Sequence, residues 1–368
     1  MQSLLWLGLL MWLSLALVQL LSNRWQAAVV LIVGTLTGQA ISFGQVQTGI
    51  DAPSLSQGIS YLVLPWLIMQ ATLPLSFGVI KRQMIWLSFV GVGGFVFTLM
   101  VVACGLYYWV DHLGFPWQSA LVVGTLLAMT DPMAVSALWR DRAKLSLLLE
   151  SESVFGELLG FVALGVLLSD WQSAFAGSVW WQLLLSLVLG ALLVKPLTWL
   201  CQCHGSLLLP VGYGVYYLSQ AHLGLSAPLV LISLCLGMPK GLWLAGFARG
   251  SYWLGLSLVW ILGFSLTLEM FSERAPMMAV AALLCWAARL MWLGVCHLSQ
   301  RLSVRGSPRL TLAEWWQLPV HGPLALAVVL SLPTSLPAWW SIQSVCYGVI
   351  VAEILLWRPL LPAKRAIS

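Results

Sequence analysis

From residue 3 to residue 357 the chain is a near-continuous succession of apolar runs, each close to the length that crosses a bilayer. A transmembrane helix needs roughly 20 apolar residues. The runs fall at 3–22, 26–44, 57–77, 84–109, 117–138, 146–169, 176–199, 205–220, 224–239, 251–268, 276–298, 317–333 and 337–357. Thirteen spans are expected, with the pairs 205–220/224–239 and 317–333/337–357 as the least secure divisions, since each is short and interrupted by Gly or Pro. Only 8% of the 368 residues are charged while 60% are hydrophobic. A water-soluble domain carries about 25% charged residues, so this chain has too little polar surface to enclose a core in water. The fold class is an all-α polytopic membrane protein.

The first run lacks a basic leader and a small-residue cleavage site, so it is expected to remain as a span. A single transmembrane domain is expected over residues 1–358, with 359–368 as a short cytoplasmic tail and no large soluble domain. The seven cysteines show no framework spacing and lie mostly in apolar runs, as small core residues do. Cys201-Gln202-Cys203-His204 has no second ligand pair at zinc-site spacing, so no metal site and no cofactor are expected. The net charge of +5 does not imply nucleic acid, because the positive charges sit in short loops.

Those loops set the orientation. Arg24, Lys81, Arg82, Arg140, Arg142, Lys144, Lys195, Lys240, Arg249, Arg301, Arg305, Arg309, Arg358, Lys364 and Arg365 all follow or end odd-numbered spans. Loops after even-numbered spans carry Asp51, Asp111, Asp170 and Glu273, with Arg274 the basic exception. An excess of Lys and Arg marks the cytoplasmic side. The N-terminus is therefore expected outside and the C-terminus in the cytoplasm, which requires an odd number of spans.

Helix-breaking residues cluster in two spans. Span five contains Thr130-Asp131-Pro132, and span twelve contains Pro319, Gly322, Pro323 and Pro333. Proline removes an amide and clashes with the preceding turn, so both spans are candidates for discontinuous helices. Broken helices at corresponding positions of two halves point to an ion site in an inverted-repeat transporter. Five and twelve correspond if the repeats lie roughly at 1–170 and 205–357. In span two, Gly34 and Gly38 form a GTLTG stretch suited to close helix contact or to ordinary packing. Pro65 and Pro74 are expected to kink span three.

Ionisable groups inside these spans are the candidate functional residues, because a charge at membrane depth normally faces a cavity, a partner or a transport path. Asp131 either caps the helix break, accepting orphan amides, or coordinates an ion directly. Ser153 and Glu157 are one turn apart on one helical face. A carboxylate at Glu157 that binds a cation when deprotonated and a proton otherwise makes the two compete, which is sufficient for antiport; the alternative is a neutral, hydrogen-bonded structural glutamate. Arg289 is the one basic residue well inside a span, and Glu152 is its expected counter-charge. His321, between span-breaking residues, is a candidate pH-responsive group or a structural one. Glu353 is expected to face the bundle or an interface, and Glu150 to face water or Lys144.

With these residues in place, the sequence resembles the monovalent cation/proton antiporters, in the NhaP-like branch of the sodium/proton exchangers. LPWLIMQATLPLSFGVIKRQ at 64–83 resembles the family's third-span motif and the basic loop after it. GTLLAMTDPMAVSAL at 124–138 is similar to its broken-helix motif, LLLESESVFGE at 147–157 to its LLEGESLLND, and HGPLALAVVLSLP at 321–333 to its GLRGALSLALALSLP. The resemblance implies a homodimeric, thirteen-span antiporter with inverted repeats and crossed discontinuous helices. It implies exchange of Na+, or of K+ or Li+, for H+ by alternating access, electroneutrally and in a prokaryotic inner membrane. Membrane lipid is then the other expected partner.

Carried over, Thr130 and Asp131 match the broken-helix pair, Glu152 the structural glutamate, Ser153 the serine near the ion and Glu157 the essential aspartate. Three departures stand out. Gly156-Glu157 replaces Asn-Asp, Glu150-Ser151 replaces Glu-Gly, and His321 replaces the arginine of the Leu-Arg-Gly motif. They leave a transport-inactive or sensory membrane scaffold of the same fold as the alternative. The orientation is open to a simple check. Green fluorescent protein fused after Ser368 is expected to fluoresce, and alkaline phosphatase at the same place to be inactive; the reverse pair of signals contradicts the charge argument.

Overall fold

The computed structural model describes residues 2–21, 23–44, 51–75, 78, 81, 87–109, 115–130, 143–169, 177–203, 207–239, 245–302 and 321–357. Among these the secondary structure is helical throughout. Helices α1 (Gln2–Val18) and α2 (Asn23–Phe43) are followed by α3 (Ala52–Gly58), which passes through a π-helical turn at Ile59–Val63 into α4 (Leu64–Thr72). A second wide turn at Leu87–Val92 leads into α5 (Gly93–Trp109). Then come α6 (Trp117–Ala128), α7 (Ala143–Leu167), α8 (Ser178–Cys203), α9 (Leu208–Ala221) and α10 (Ala227–Gly237). The chain continues with α11 (Ala245–Ser265), α12 (Leu268–Leu302), α13 (Pro323–Leu330) and α14 (Trp339–Ala352), the last ending in a π-helical turn at Glu353–Trp357.

Each expected run contains helix, with α3 and α4 forming one span. Span three is interrupted near both prolines: a wide turn at Ile59–Val63 precedes Pro65, and α4 stops at Thr72, two residues before Pro74. Span eleven is longer than its apolar run. Helix α12 takes in 35 residues and continues through Pro276 without a break.

Several helices are too short to cross hydrocarbon alone. At about 1.5 Å per residue, α6, α10 and α13 are roughly 18, 17 and 12 Å long, from 12, 11 and 8 residues. A half-span helix leaves its terminal carbonyls at membrane depth, where no water satisfies them. Side chains from other helices do so here. At the end of α13, Ser56 Oγ of α3 donates to the carbonyls of Ser331 (2.9 Å) and Leu332 (3.2 Å). Gln343 Nε2 of α14 donates to Val329 O at 3.3 Å, and Trp339 Nε1 to Leu332 O at 3.3 Å. Ser119 Oγ of α6 donates to Pro337 O at 2.8 Å, tying the start of one half-helix to the turn after the other.

The residues of α4, α6, α10, α13 and α14 are largely buried, whereas Trp12, Leu20, Leu36, Tyr108, Trp109, Trp181, Leu192 and Trp199 are exposed. Such an apolar exterior is untenable in water and natural against lipid. Five of the described helices are long and apolar enough to cross a membrane unaided.

The GTLTG stretch is a close helix crossing. A Cβ on Gly34 or Gly38 of α2 would overlap the carbonyl oxygens of Trp260 or Phe264 on α11, and one on Gly263 would overlap Leu31 O. The obstruction is backbone, which cannot rotate away. Trp260 and Phe264 stack at 5.4 Å beside the crossing. Gly34→Val is expected to separate the two helices and cost at least the ~1–3 kcal/mol of an overpacked core. A thermal unfolding scan in detergent checks this; an unchanged midpoint would show that the crossing yields.

Candidate functional site

The site is built around the end of α6. Pro132 disfavours helix at the residue before it, and the helix stops at Ala128, short of the apolar run that continues to 138. Met129 is extended (φ −72°, ψ 127°). Thr130 lies half-buried beyond it. Asp131 is outside the described residues, and so is its expected capping role.

Three side chains converge on the buried carbonyl of Leu127, one residue before α6 ends. Arg289 Nη2 of α12 donates to it at 3.2 Å and Cys285 Sγ of the same helix at 3.6 Å. His321 Nε2 lies 3.1 Å from the same oxygen. His321 immediately precedes Gly322, which leads into α13 in extended conformation (φ −128°, ψ −167°). The two broken spans therefore meet, the carbonyl end of one half-helix against the entry to the other. Arg289, at spacing i, i+4 from Cys285, supplies a permanent positive charge at the carbonyl end of the α6 dipole. A cation thus does stand at this break, although the motif's own arginine position holds His321.

Helix α7 carries the carboxylates. Ser153 and Glu157 are both buried, Glu157 with 1% of its surface exposed. Gly156 sits against the break: a Cβ there would lie 3.8 Å from Thr130 Oγ1. One turn on, a Cβ at Gly160 would lie 2.6 Å from Met129 Cγ. The two glycines thus admit the unwound Met129–Thr130 segment to the surface of α7, with Glu157 beside it in sequence. Glu152 is half-buried and faces the wide turn before α5, its Cγ 3.8 Å from a Cβ placed on Gly91. Arg289 is a cation whose charge falls on Glu152, and its guanidinium donates to Leu127 O.

Glu353 was expected to face the bundle or an interface, and its partner is new. It is buried in the π-helical turn after α14, and His321 is held by it twice. The His321 amide donates to Oε2 at 3.1 Å, and Nδ1 lies 2.9 Å from Oε1. The sequence signal was a carboxylate inside an apolar span; nothing local links it to a residue 32 positions earlier. His204 of the Cys-Gln-Cys-His stretch is outside the described residues, and no group of three metal-ligating side chains occurs among the described ones.

An all-helical membrane bundle in which two half-helices meet beside a buried carboxylate defines an ion-coupled transporter scaffold. The sodium/hydrogen exchanger transmembrane family matches residues 10–203, more than half of the chain, and the protein belongs to that family, one of ion exchangers and not of enzymes. The chain is 24% identical to the low-affinity Na+/H+ antiporter NhaS1 of Synechocystis sp., over 87% of this chain and 66% of that one. It is 27% identical to the Na+/H+ antiporter ApNhaP of Aphanothece halophytica, over 36% and 25%. It thus spans about two thirds or less of the length of these curated relatives. Its fold is that of the sodium proton antiporter MjNhaP1 of Methanocaldococcus jannaschii at pH 8, with a TM-score of 0.65 and 16% identity, covering 97% of this chain and all of that one.

The two glycines of α7 make opposite predictions. Gly156→Ala has ordinary van der Waals room and removes a helix-weakening residue, so stability is expected to hold or rise by up to about 1 kcal/mol. Gly160→Ala displaces Met129 and is expected to lower the unfolding midpoint. A thermal scan in detergent showing the opposite order contradicts the placement of the break against α7.

Proposed function

We propose that the protein exchanges a monovalent cation, Na+ before K+ or Li+, for protons by alternating access, with Glu157 as the carboxylate both ions share. The observation that supports this most directly is the burial of Glu157 one turn from Ser153, on the helix face that admits the unwound Met129–Thr130 segment. A carboxylate beside unwound backbone meets two requirements of a monovalent cation site, negative charge and oxygen ligands free of helical bonding. Thr130 and Ser153 contribute hydroxyl oxygens, and Asp131 a second carboxylate at the break. Sodium leads because the related proteins that carry a function in their names are Na+/H+ antiporters. Glu152 is the counter-charge to Arg289, and that pair holds architecture in place without carrying cargo.

In this reading the protein lies in a prokaryotic inner membrane as a homodimer, N-terminus outside and C-terminus in the cytoplasm, with lipid on its apolar flanks. Glu157 is longer by a methylene than the family's aspartate, and Gly156 presents no side chain to Thr130. Those two changes compensate sterically: the glycine leaves space that the longer carboxylate reaches across.

The test is cation-driven proton flux in proteoliposomes with Na+, K+ and Li+ between about pH 5.5 and 9, a range that brackets the ordinary titration of histidine and of shifted carboxyls. Glu157→Gln is expected to abolish flux in folded protein, and Glu157→Asp to retain it with altered cation preference. Undiminished flux in Glu157→Gln removes the role assigned to Glu157. Absence of flux in folded wild-type protein favours the transport-inactive scaffold.

A further inference from the structure

The residue at the arginine position of the Leu-Arg-Gly motif is not a lone histidine but half of a buried pair. We propose that Glu353 is a positioning residue for the exchange site: it grips His321 by amide and ring, so that the imidazole closes the Leu127 carbonyl at the end of α6, with one proton held between carboxyl and ring. The inference rests on the exchange reading above, and it deepens that reading by adding a group outside the Glu157 cluster.

Geometry fixes the proton count. A carbonyl oxygen only accepts, so Nε2 at 3.1 Å from Leu127 O carries a hydrogen. Nδ1 and Glu353 Oε1, 2.9 Å apart, then need one proton between them. Imidazolium with carboxylate and imidazole with carboxylic acid both satisfy this, and both leave the pair neutral overall. Removing that proton sets a ring lone pair against a carboxylate, which opens the contact. Nε2 keeps its hydrogen towards Leu127 O in each of these states, but the grip of Glu353 on the ring depends on the shared proton, whereas an arginine keeps its charge at any pH.

Few of the described residues around this couple are ionisable. From α12, Cys285 and Arg289 face the same Leu127 oxygen. Cys346 and Tyr347 lie buried on α14, and Glu152 lies within the field of Arg289. The described residues of α6 and α13 carry no ionisable side chain, and α2, which packs on the Glu353 turn, carries Arg24 as its single charge. Arg289 keeps its charge at any pH, whereas the His321–Glu353 pair on the same carbonyl can give up a proton. Since Thr130 follows Leu127 by three residues, a shift of that carbonyl is transmitted directly to the unwound segment on α7.

Two measurements on the full-length protein decide the matter. In proteoliposomes, Glu353→Gln is expected to lower Na+-driven proton flux by roughly 10- to 100-fold, the usual effect of removing a group that orients an ion site. It is also expected to displace the pH profile, while detergent-purified protein remains monodisperse. His321→Gln is expected to give the same displaced profile, and Glu353→Asp to recover part of the rate. A Glu353→Gln protein with the wild-type rate and pH profile overturns the proposal. If folded wild-type protein shows no flux, the exchange reading fails and the second measurement decides the arrangement by itself. In 15N-histidine-labelled protein, the resonances lost in His321→Gln are expected to show Nε2 protonated throughout the folded pH range, and Nδ1 displaced in Glu353→Gln. A neutral tautomer with Nδ1 protonated and Nε2 bare, or His321 signals unaffected by Glu353→Gln, overturns the proposal whether or not the protein transports.

Discussion

The carbonyl of Leu127 is the point on which the arrangement of this protein turns. A helix that stops at mid-membrane leaves backbone acceptors with no water to satisfy them, at a cost of about 1–3 kcal/mol each when buried and unpaired. Arg289, Cys285 and His321 gather on this one oxygen from two other spans. That convergence fixes the crossing of α6 with the entry to α13, and the crossing in turn places Met129 and Thr130 against the glycines of α7. The same device recurs at the far end of α13, where Ser56, Gln343 and Trp339 close the carbonyls. Each broken helix is thus held by side chains that other segments bring to its open end.

This explains how a chain with so few charges can hold ionisable groups at membrane depth. Neutral hydroxyls, amides and an indole close the end of α13, and charge is concentrated at the end of α6 and along α7. Arg289 there acts in two capacities, as donor to Leu127 and as the positive field on Glu152. Buried charges that satisfy backbone and one another tolerate membrane depth; an isolated one does not. The replacement of the motif's arginine by His321 is compatible with the fold for the same reason: the permanent positive charge at the break comes from α12, and His321 is itself held by Glu353.

Much of this was legible beforehand, and the reasons are local. The break in span five follows from Thr130-Asp131-Pro132, since proline acts on its immediate neighbours. The breadth of the turn before Leu64-Pro65 and the end of α4 before Pro74 follow from the same chemistry. GTLTG announced a close crossing because small residues at i and i+4 share one face, although the partner helix, α11, was not readable from it. The 35-residue extent of α12 was underestimated, because its polar first turns and Pro276 do not look like the interior of a helix.

The sequence by itself determined the membrane class, the thirteen helical segments, the two broken spans and the short list of intramembrane ionisable residues. All of these rest on composition, on runs of fixed length or on the steric reach of proline to its neighbours. Only the tertiary structure decided which groups meet. Leu127 and Arg289 are 162 residues apart, Leu127 and His321 are 194 apart, and His321 and Glu353 are 32 apart. No periodicity relates such positions, because their contact depends on the angle at which half-helices cross. Glu353 shows the difference most plainly: its burial was readable as a cost, but the histidine that offsets it became visible only once the spans were packed.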